Sequence, residues 1–337
     1  ATATDPTVAN EGGSLLLVYV DGTQGWLTTQ QSVTPSPSGA ESFIIATGGT
    51  PCAGQTSGDY KYHTFTGPGT FCVSQVAGCA GQNVVSYMVV AGGAGGGGDG
   101  GGGGGAGGFR EYKNSCDPYT ASPLNGNPGG TAITVSATGY PITVGAGGGV
   151  HSSPPWSSNP GGQGADSVFS TITSTGGGTS TAYAGSDGGS GGGGGRNAPR
   201  AAGSGNTPSV TPAQGTAGGA GSPGGNGAGG AGGATVAGTA TCTSAGGAGG
   251  TGATSSINAT PTARAGGGGG GATSPTSSAG GAAGAGGGGA GAGCGSGGGA
   301  AGTVNTGGGG GGGTGSLPPT ASGAGGSGIV IVRYKFQ

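Results

Sequence analysis

Apolar positions gather toward the two ends of the chain and thin out between them. In residues 14–31, the runs SLLLVYV and GWLTTQQ flank Asp21-Gly22, a pattern that predicts a β-hairpin. A lone hairpin is not stable in water, so it calls for further copies of itself or for more chain. Residues 34–39, TPSPSG, read as a linker because proline supplies no strand donor. Four short apolar segments follow at 41–47 (ESFIIAT), 59–66 (DYKYHTFT), 70–76 (TFCVSQV) and 84–90 (VVSYMVV), separated by Gly, Pro and Asn. Tyr60, Tyr62, Thr64 and Thr66 alternate with Lys61, His63 and Phe65, which predicts antiparallel strands with a wetter and a drier face.

Past Val90 the period changes from two to three. Ala217, Ala220, Pro223 and Asn226 stand three apart, and after a slip so do Ala228, Ala231 and Ala234; Ala245, Ala248, Thr251 and Thr254 repeat the pattern, as do Ala91, Ala94 and Ala106. Three residues per turn belongs to the extended left-handed helix. That helix has no internal hydrogen bonds, so its buried N–H and C=O groups need partners on neighbouring segments, and glycine permits the approach. The expectation is one chain folded back about ten times into a bundle of polyglycine II helices, with the Ala, Thr and Asn side chains pointing outward. Residues 94–108 would form a single helix of roughly 45 Å. The apolar runs 84–90 and 328–336 bracket this region and are expected to pair, closing a small core with Ile133, Val135, Ile142, Val144, Phe169 and Ile172. The fold class is therefore all-β and irregular with essentially no α-helix. It divides into a hairpin segment at 1–38, a small antiparallel domain at 39–83 and the glycine-rich bundle at 84–337.

Composition sharpens this picture. Of 337 residues 100 are Gly, while Leu, Ile, Val and Phe make up about 12 %, under the ~20 % that a conventional core requires. Eight Lys and Arg against ten Asp and Glu give a net charge of −2, so no basic face exists for nucleic acid. No apolar run approaches the ~20 residues that span a bilayer. Cys52, Cys72, Cys79, Cys116, Cys242 and Cys294 lack paired C-x-x-C spacing, and only His63 and His151 could assist, so no metal or cofactor is expected. The thiols are either free or paired in structural disulfides, Cys72 and Cys79 being the nearest candidates across a turn. G-x-G-x-x-G recurs only because Gly is common, and no phosphate-binding Gly-Lys motif or catalytic triad stands out, which argues against an enzyme.

The segments SYMVVAGGAGGGG, GGGGAGGFRE, YPITVGAGG, VFSTITSTGGG and GGSGIVIVRY resemble the glycine-rich domain of bacteriophage tail-fibre and adhesin proteins, particularly those of marine tailed phages. The resemblance covers residues 84–337 and, weakly, HTFTGPGTFCV before them. Its architectural relative is the fibre-tip adhesin of T-even-type phages, a polyglycine II sandwich with variable loops at one end. The resemblance implies a distal tail-fibre protein of the virion whose partners are other tail proteins and a host cell-surface receptor, either an outer-membrane protein or a glycan. That adhesin is a separate subunit on a trimeric fibre, whereas this chain opens with β-hairpin sequence. A tip fused to its own shaft, and a homotrimer joined at the N-terminal part, are therefore expected. A structural surface filament and an antifreeze-type bundle are the other readings.

The loops between glycine runs hold the informative side chains. Tyr112 and Tyr119 lie in 110–127, His151 and Trp156 in the Pro-rich 150–160, and Arg196 and Arg200 in 196–212. An aromatic ring in a loop, beside hydroxyls and amides, offers apolar area at low entropic cost and suits sugars or protein loops. These six are the receptor-contact candidates. Each has an alternative: Trp156 could plug the bundle, Tyr112 and Tyr119 could cap its first helix, and the arginines could pair with acids such as Asp187.

Overall fold

The computed structural model describes residues 14–21, 25–32, 42–150, 160–273, 278–315 and 320–337. Its strands are β1 (Ser14–Asp21), β2 (Gly25–Ser32), β3 (Ile45–Thr47), β4 (Gln55–Ser57), β5 (Tyr60–Phe65), β6 (Gly69–Gln75), β7 (Val84–Val90) and β8 (Phe109–Tyr112). They continue as β9 (Ile133–Thr134), β10 (Gly139–Thr143), β11 (Ser167–Phe169), β12 (Ile172–Ser174), β13 (Ala253–Ser255), β14 (Thr262–Arg264) and β15 (Ile329–Lys335). Helix is confined to one 3₁₀ turn, Ala80–Asn83, among the described residues. β1 and β2 form the expected antiparallel hairpin, with Asp21 opposite Gly25.

The bracketing strands pair as the apolar pattern predicts. β7 and β15 lie antiparallel at the centre of a sheet ordered β4-β5-β15-β7-β8, with Ile329 opposite Val90 and Arg333 opposite Ser86. Both faces of this pair are covered, which is why VVSYMVV and IVIVRY read as near-continuous apolar runs. Val85, Tyr87, Val89, Val330, Val332 and Tyr334 face a second sheet, β12-β11-β10-β6-β3, and pack with its Phe71, Ile142 and Phe169 and with Ile133. Met88, Val90, Ile329 and Ile331 face the other way, onto the base of the glycine region at Ala106, Phe109, Ala234, Ala265 and Ile257. Ile133, Val135, Ile142, Phe169 and Ile172 are buried as expected, and Val144 is partly buried against them.

The segment expected as a small domain at 39–83 is instead shared between these sheets. β5 pairs with the last strand, Val330 opposite Phe65, while β6 pairs with β10. Strands this short have no core of their own and bury their apolar face only by joining the two long strands. The same division separates the two cysteines. Cys72 lies in β6 of the second sheet, Cys79 belongs to the chain entering β7 of the first, and both are free and exposed, as are Cys52, Cys116 and Cys242.

Hydrogen bonding in the glycine region has the three-fold character of polyglycine II. Along residues 91–97, Ala91, Ala94 and Gly97 donate to Gly108, Gly105 and Gly102; Gly92 and Gly95 donate to Ala165 and Gly162; Gly93 and Gly96 donate to Gly326 and Gly323. Every third N–H thus meets the same antiparallel neighbour. Residues 101–108 are enclosed on all sides. Their N–H groups reach 175–178, 229–232 and 307–310, and their carbonyls accept from 91–97, 190–193 and 268–271.

Two expectations are corrected here. Residues 94–108 are not one helix but two antiparallel ones, because Asp99 and Gly100, with φ of 52° and 66°, turn the chain back on itself. A buried run could not accommodate a carboxylate mid-helix, whereas a turn brings it to the end of the bundle. The period-three alanines also divide by position. Ala217 and Ala220 on an outer segment are exposed, but Ala91, Ala94, Ala106, Ala228, Ala231 and Ala234 are buried where a neighbour leaves room for one methyl group.

Candidate functional site at the loop end

The helices run between two unlike ends. Strands β7, β10, β12 and β14 lead directly into glycine segments, so the sheets form one end. The chain also arrives there, at Ser42, whose carbonyl accepts from Gly78. Turns at 98–100, 181–184, 196–200, 222–226, 241–245 and 293–298 lie at the other end, which the chain also reaches at Val150 and Pro160.

At the centre of that far end, Arg196 closes over the Asp99 turn. Its Nη2 lies 2.8 Å from Asp99 Oδ1, and its Nε donates to the Asp99 carbonyl at 3.0 Å. The Arg196 amide donates to Gly100, and the Gly100 amide to Gly313. Thr273 stands beside them, bonded to the Asn226 carbonyl through both its amide and its hydroxyl. Arg200 Nε donates to the Arg196 carbonyl at 2.8 Å. Tyr183, 43 % exposed, projects from an adjacent turn in which the Thr181 hydroxyl accepts from the amides of Tyr183 and Ala184.

Of the six candidate contacts, the structure brings Arg196 and Arg200 together at this end. Arg196 pairs with Asp99 rather than with Asp187, whose carboxylate accepts from the Ser204 amide. His151 and Trp156 lie outside the described residues. Tyr112 and Tyr119 are buried at the opposite, sheet end, so the role of receptor contact is withdrawn for both. Tyr112 belongs to β8 and stacks on Tyr87 at 6.0 Å; Tyr119 lies against the guanidinium of Arg333. Tyr183 was missed: it stands alone between Ala182 and Ala184, without the Pro or Arg that mark the other loops.

Tyr112 packs in the core between the two sheets, whereas Tyr119 belongs to a polar cluster between sheet and bundle. Arg333, 2 % exposed, donates from Nε to both oxygens of Asp117 at 2.9 and 3.1 Å and lies over the Tyr60 ring. Asp117 also accepts from Ser86 Oγ. Glu111 accepts from Ser255 Oγ and from the Ser122 amide. Burial lowers the Arg264 guanidinium to about 10 against the opposing pull of Glu111, and raises the Tyr119 phenol, helped by Glu111 and Asp117. A cavity of about 270 Å³ opens beside this cluster among Ser86, Asn114, Asp117 and Arg333, groups already bonded to one another or to backbone. The cluster ties β7, β15 and the loops after β8 and β13 into one block. No three His, Cys, Asp or Glu side chains converge to hold a metal among the described residues, nor is any described helix long and apolar enough to cross a membrane.

No curated protein matches this chain. A family model described as a glycine-rich domain matches residues 65–335, from the last residue of β5 to the last of β15. That span takes in both bracketing strands and every glycine segment between them, and the chain therefore belongs to the glycine-rich domain family.

Proposed function

We propose that this protein is a receptor-binding tip of a bacteriophage tail fibre, an adhesin that meets a host cell surface through turns held on a polyglycine II scaffold. The observation that carries this reading is the two-ended architecture. Strand entry, the hydrophobic core and the arrival of the chain at Ser42 lie at one end. Charged and aromatic turns with Asp99, Arg196, Arg200 and Tyr183 lie at the other. A scaffold whose packed glycines leave no room for a Cβ leaves most of its variety to the turns, which is the arrangement a recognition protein needs. In this reading the N-terminal hairpin segments of three copies associate on the fibre, and the fibre-tip position places the loop end outward.

The test is binding of the fluorescently labelled full-length chain to a panel of Gram-negative bacteria. Saturable binding to some strains and not others is expected, with competition by unlabelled chain. Absence of saturable binding to every strain, with the chain folded, overturns the proposal.

A further inference from the structure

We infer that Arg200 and Tyr183 form a single recognition spot for an acidic sugar, an inference that rests on the receptor-binding reading of the loop end. Three backbone bonds stitch the two turns together: Gly195 N–H to the Tyr183 carbonyl at 3.0 Å, Asn197 N–H to Ala182 at 2.9 Å, and Gly185 N–H to Ala201 at 2.9 Å. The Tyr183 ring is therefore presented on a fixed turn beside the residues that carry Arg200. An aromatic face held in this way takes the C–H side of a sugar ring with little loss of entropy.

Charge selects the kind of sugar. Among the described residues, the charged side chains in the turns at this end are Asp99, Arg196 and Arg200. Asp99 and Arg196 satisfy each other. Arg200 is left as the excess positive charge on a chain whose net charge is −2. Its Nε is bonded to the Arg196 carbonyl, which orients the guanidinium and leaves the Nη groups of the fork to meet a carboxylate or phosphate. The backbone points the same way. Arg200 has φ of 60°, a conformation that glycine adopts without strain and arginine does not, in a protein that uses glycine freely. Among the described residues, the large exposed apolar side chains at this end are Tyr183 and Val150, amid Thr, Ser and Asn. That suits one or two sugar rings better than the broad apolar centre of a protein interface.

The experiment is a glycan array probed with the full chain, carrying acidic oligosaccharides beside their methyl-esterified, neutral counterparts. Hits are expected among the acidic members, with at least tenfold weaker binding after esterification and weaker binding in high salt. Arg200→Gly and Arg200→Asn, both tolerant of the backbone conformation, are expected to keep or raise the melting temperature while weakening acidic hits tenfold or more. Tyr183→Ala is expected to weaken the same hits. Hits that are neutral only, hits indifferent to esterification, or Arg200 variants that bind as the parent does each overturn the inference. Cell binding that survives periodate oxidation of surface glycans and is lost on protease treatment assigns this face to a protein, overturning the acidic-sugar inference while the adhesin reading stands. No binding to any cell removes both.

Discussion

Gly103 faces Gly268 so closely that a Cβ on Gly103 would overlap the Gly268 carbonyl carbon and oxygen. The Gly268 oxygen already accepts from Ala231 N–H at 2.9 Å, and the Gly268 amide donates to Gly104. Neither strand of this contact can retreat, because residues 101–108 are hydrogen-bonded to neighbours on every side.

Gly103→Ala is therefore expected to cost about 3 kcal/mol or more, as overpacking and the loss of lateral bonds at about 1 kcal/mol each combine. Gly103→Val should prevent folding, since β-branching adds bulk. Gly297→Ala is the control: nothing lies within 4 Å of a Cβ there, so stability should be unchanged or slightly raised. Thermal unfolding of the three variants checks this, and equal losses at both positions would refute the packing account.

Asp117 and Arg333 make the second prediction. Both are about 2 % exposed and come from segments far apart in the sequence. Asp117→Ala would strand a buried guanidinium, and a loss of about 3 to 5 kcal/mol is expected. Asp117→Ala combined with Arg333→Met should recover much of that, because the desolvated charge disappears with its partner. A denaturant-unfolding double-mutant cycle measures the recovery. Additive losses would show that the pair contributes nothing as a pair.

How far the sequence reveals this molecule depends on what each residue leaves in the pattern. The bracketing strands were legible because burial on both faces writes a continuous apolar run, and the bundle because three residues per turn writes period-three alanine. Where the bundle turns was harder to read, since a glycine run carries no side chain to mark a bend. Asp99-Gly100 was the one mark in the first run, and it is the same Asp-Gly signal that located the N-terminal hairpin. Tyr112 and Tyr119 were misplaced for a different reason. Their surroundings look polar in sequence, but Glu111 and Asp117 satisfy their own charge internally with Ser255, Ser122, Ser86 and Arg333. The strand pairing of β5 with β15 spans most of the chain, and no local pattern encodes it.

His63 predicts a pH dependence. It is fully buried, its Nδ1 donating to the Gly48 carbonyl at 2.7 Å and its Nε2 lying 3.1 Å from the Tyr334 hydroxyl, with Phe71 against the ring. Burial holds the imidazole below its ordinary value, Lys61 pushes the same way, and the Gly48 bond opposes them. The folded state thus binds this proton less readily than the unfolded chain does. Stability is fully present above the unfolded value of about 6.5 and falls as pH drops from there toward the folded value. Melting temperature should decline on acidification from pH 7 to 5, and His63→Gln should flatten that slope. An unchanged slope in the variant would place the sensitivity elsewhere.

Burial also predicts that two tyrosines chosen for the same reason in sequence will behave in opposite ways. Tyr112 is 8 % exposed, stacked on Tyr87 within the core that joins both sheets. Truncating it to Ala removes a ring from close packing and should cost about 3 to 5 kcal/mol. Tyr183 is 43 % exposed, and its turn is held by backbone bonds and by the Thr181 hydroxyl, none of which involves the ring. Tyr183→Ala should therefore shift stability by no more than about 0.5 kcal/mol. Cell binding should follow the reverse order once the fraction of folded protein is taken into account. Tyr112→Ala, assayed at a temperature where it remains folded, should bind as the parent does, and Tyr183→Ala should bind more weakly. Loss of binding in the folded Tyr112 variant, with full binding by the Tyr183 variant, would move the contact surface to the sheet end.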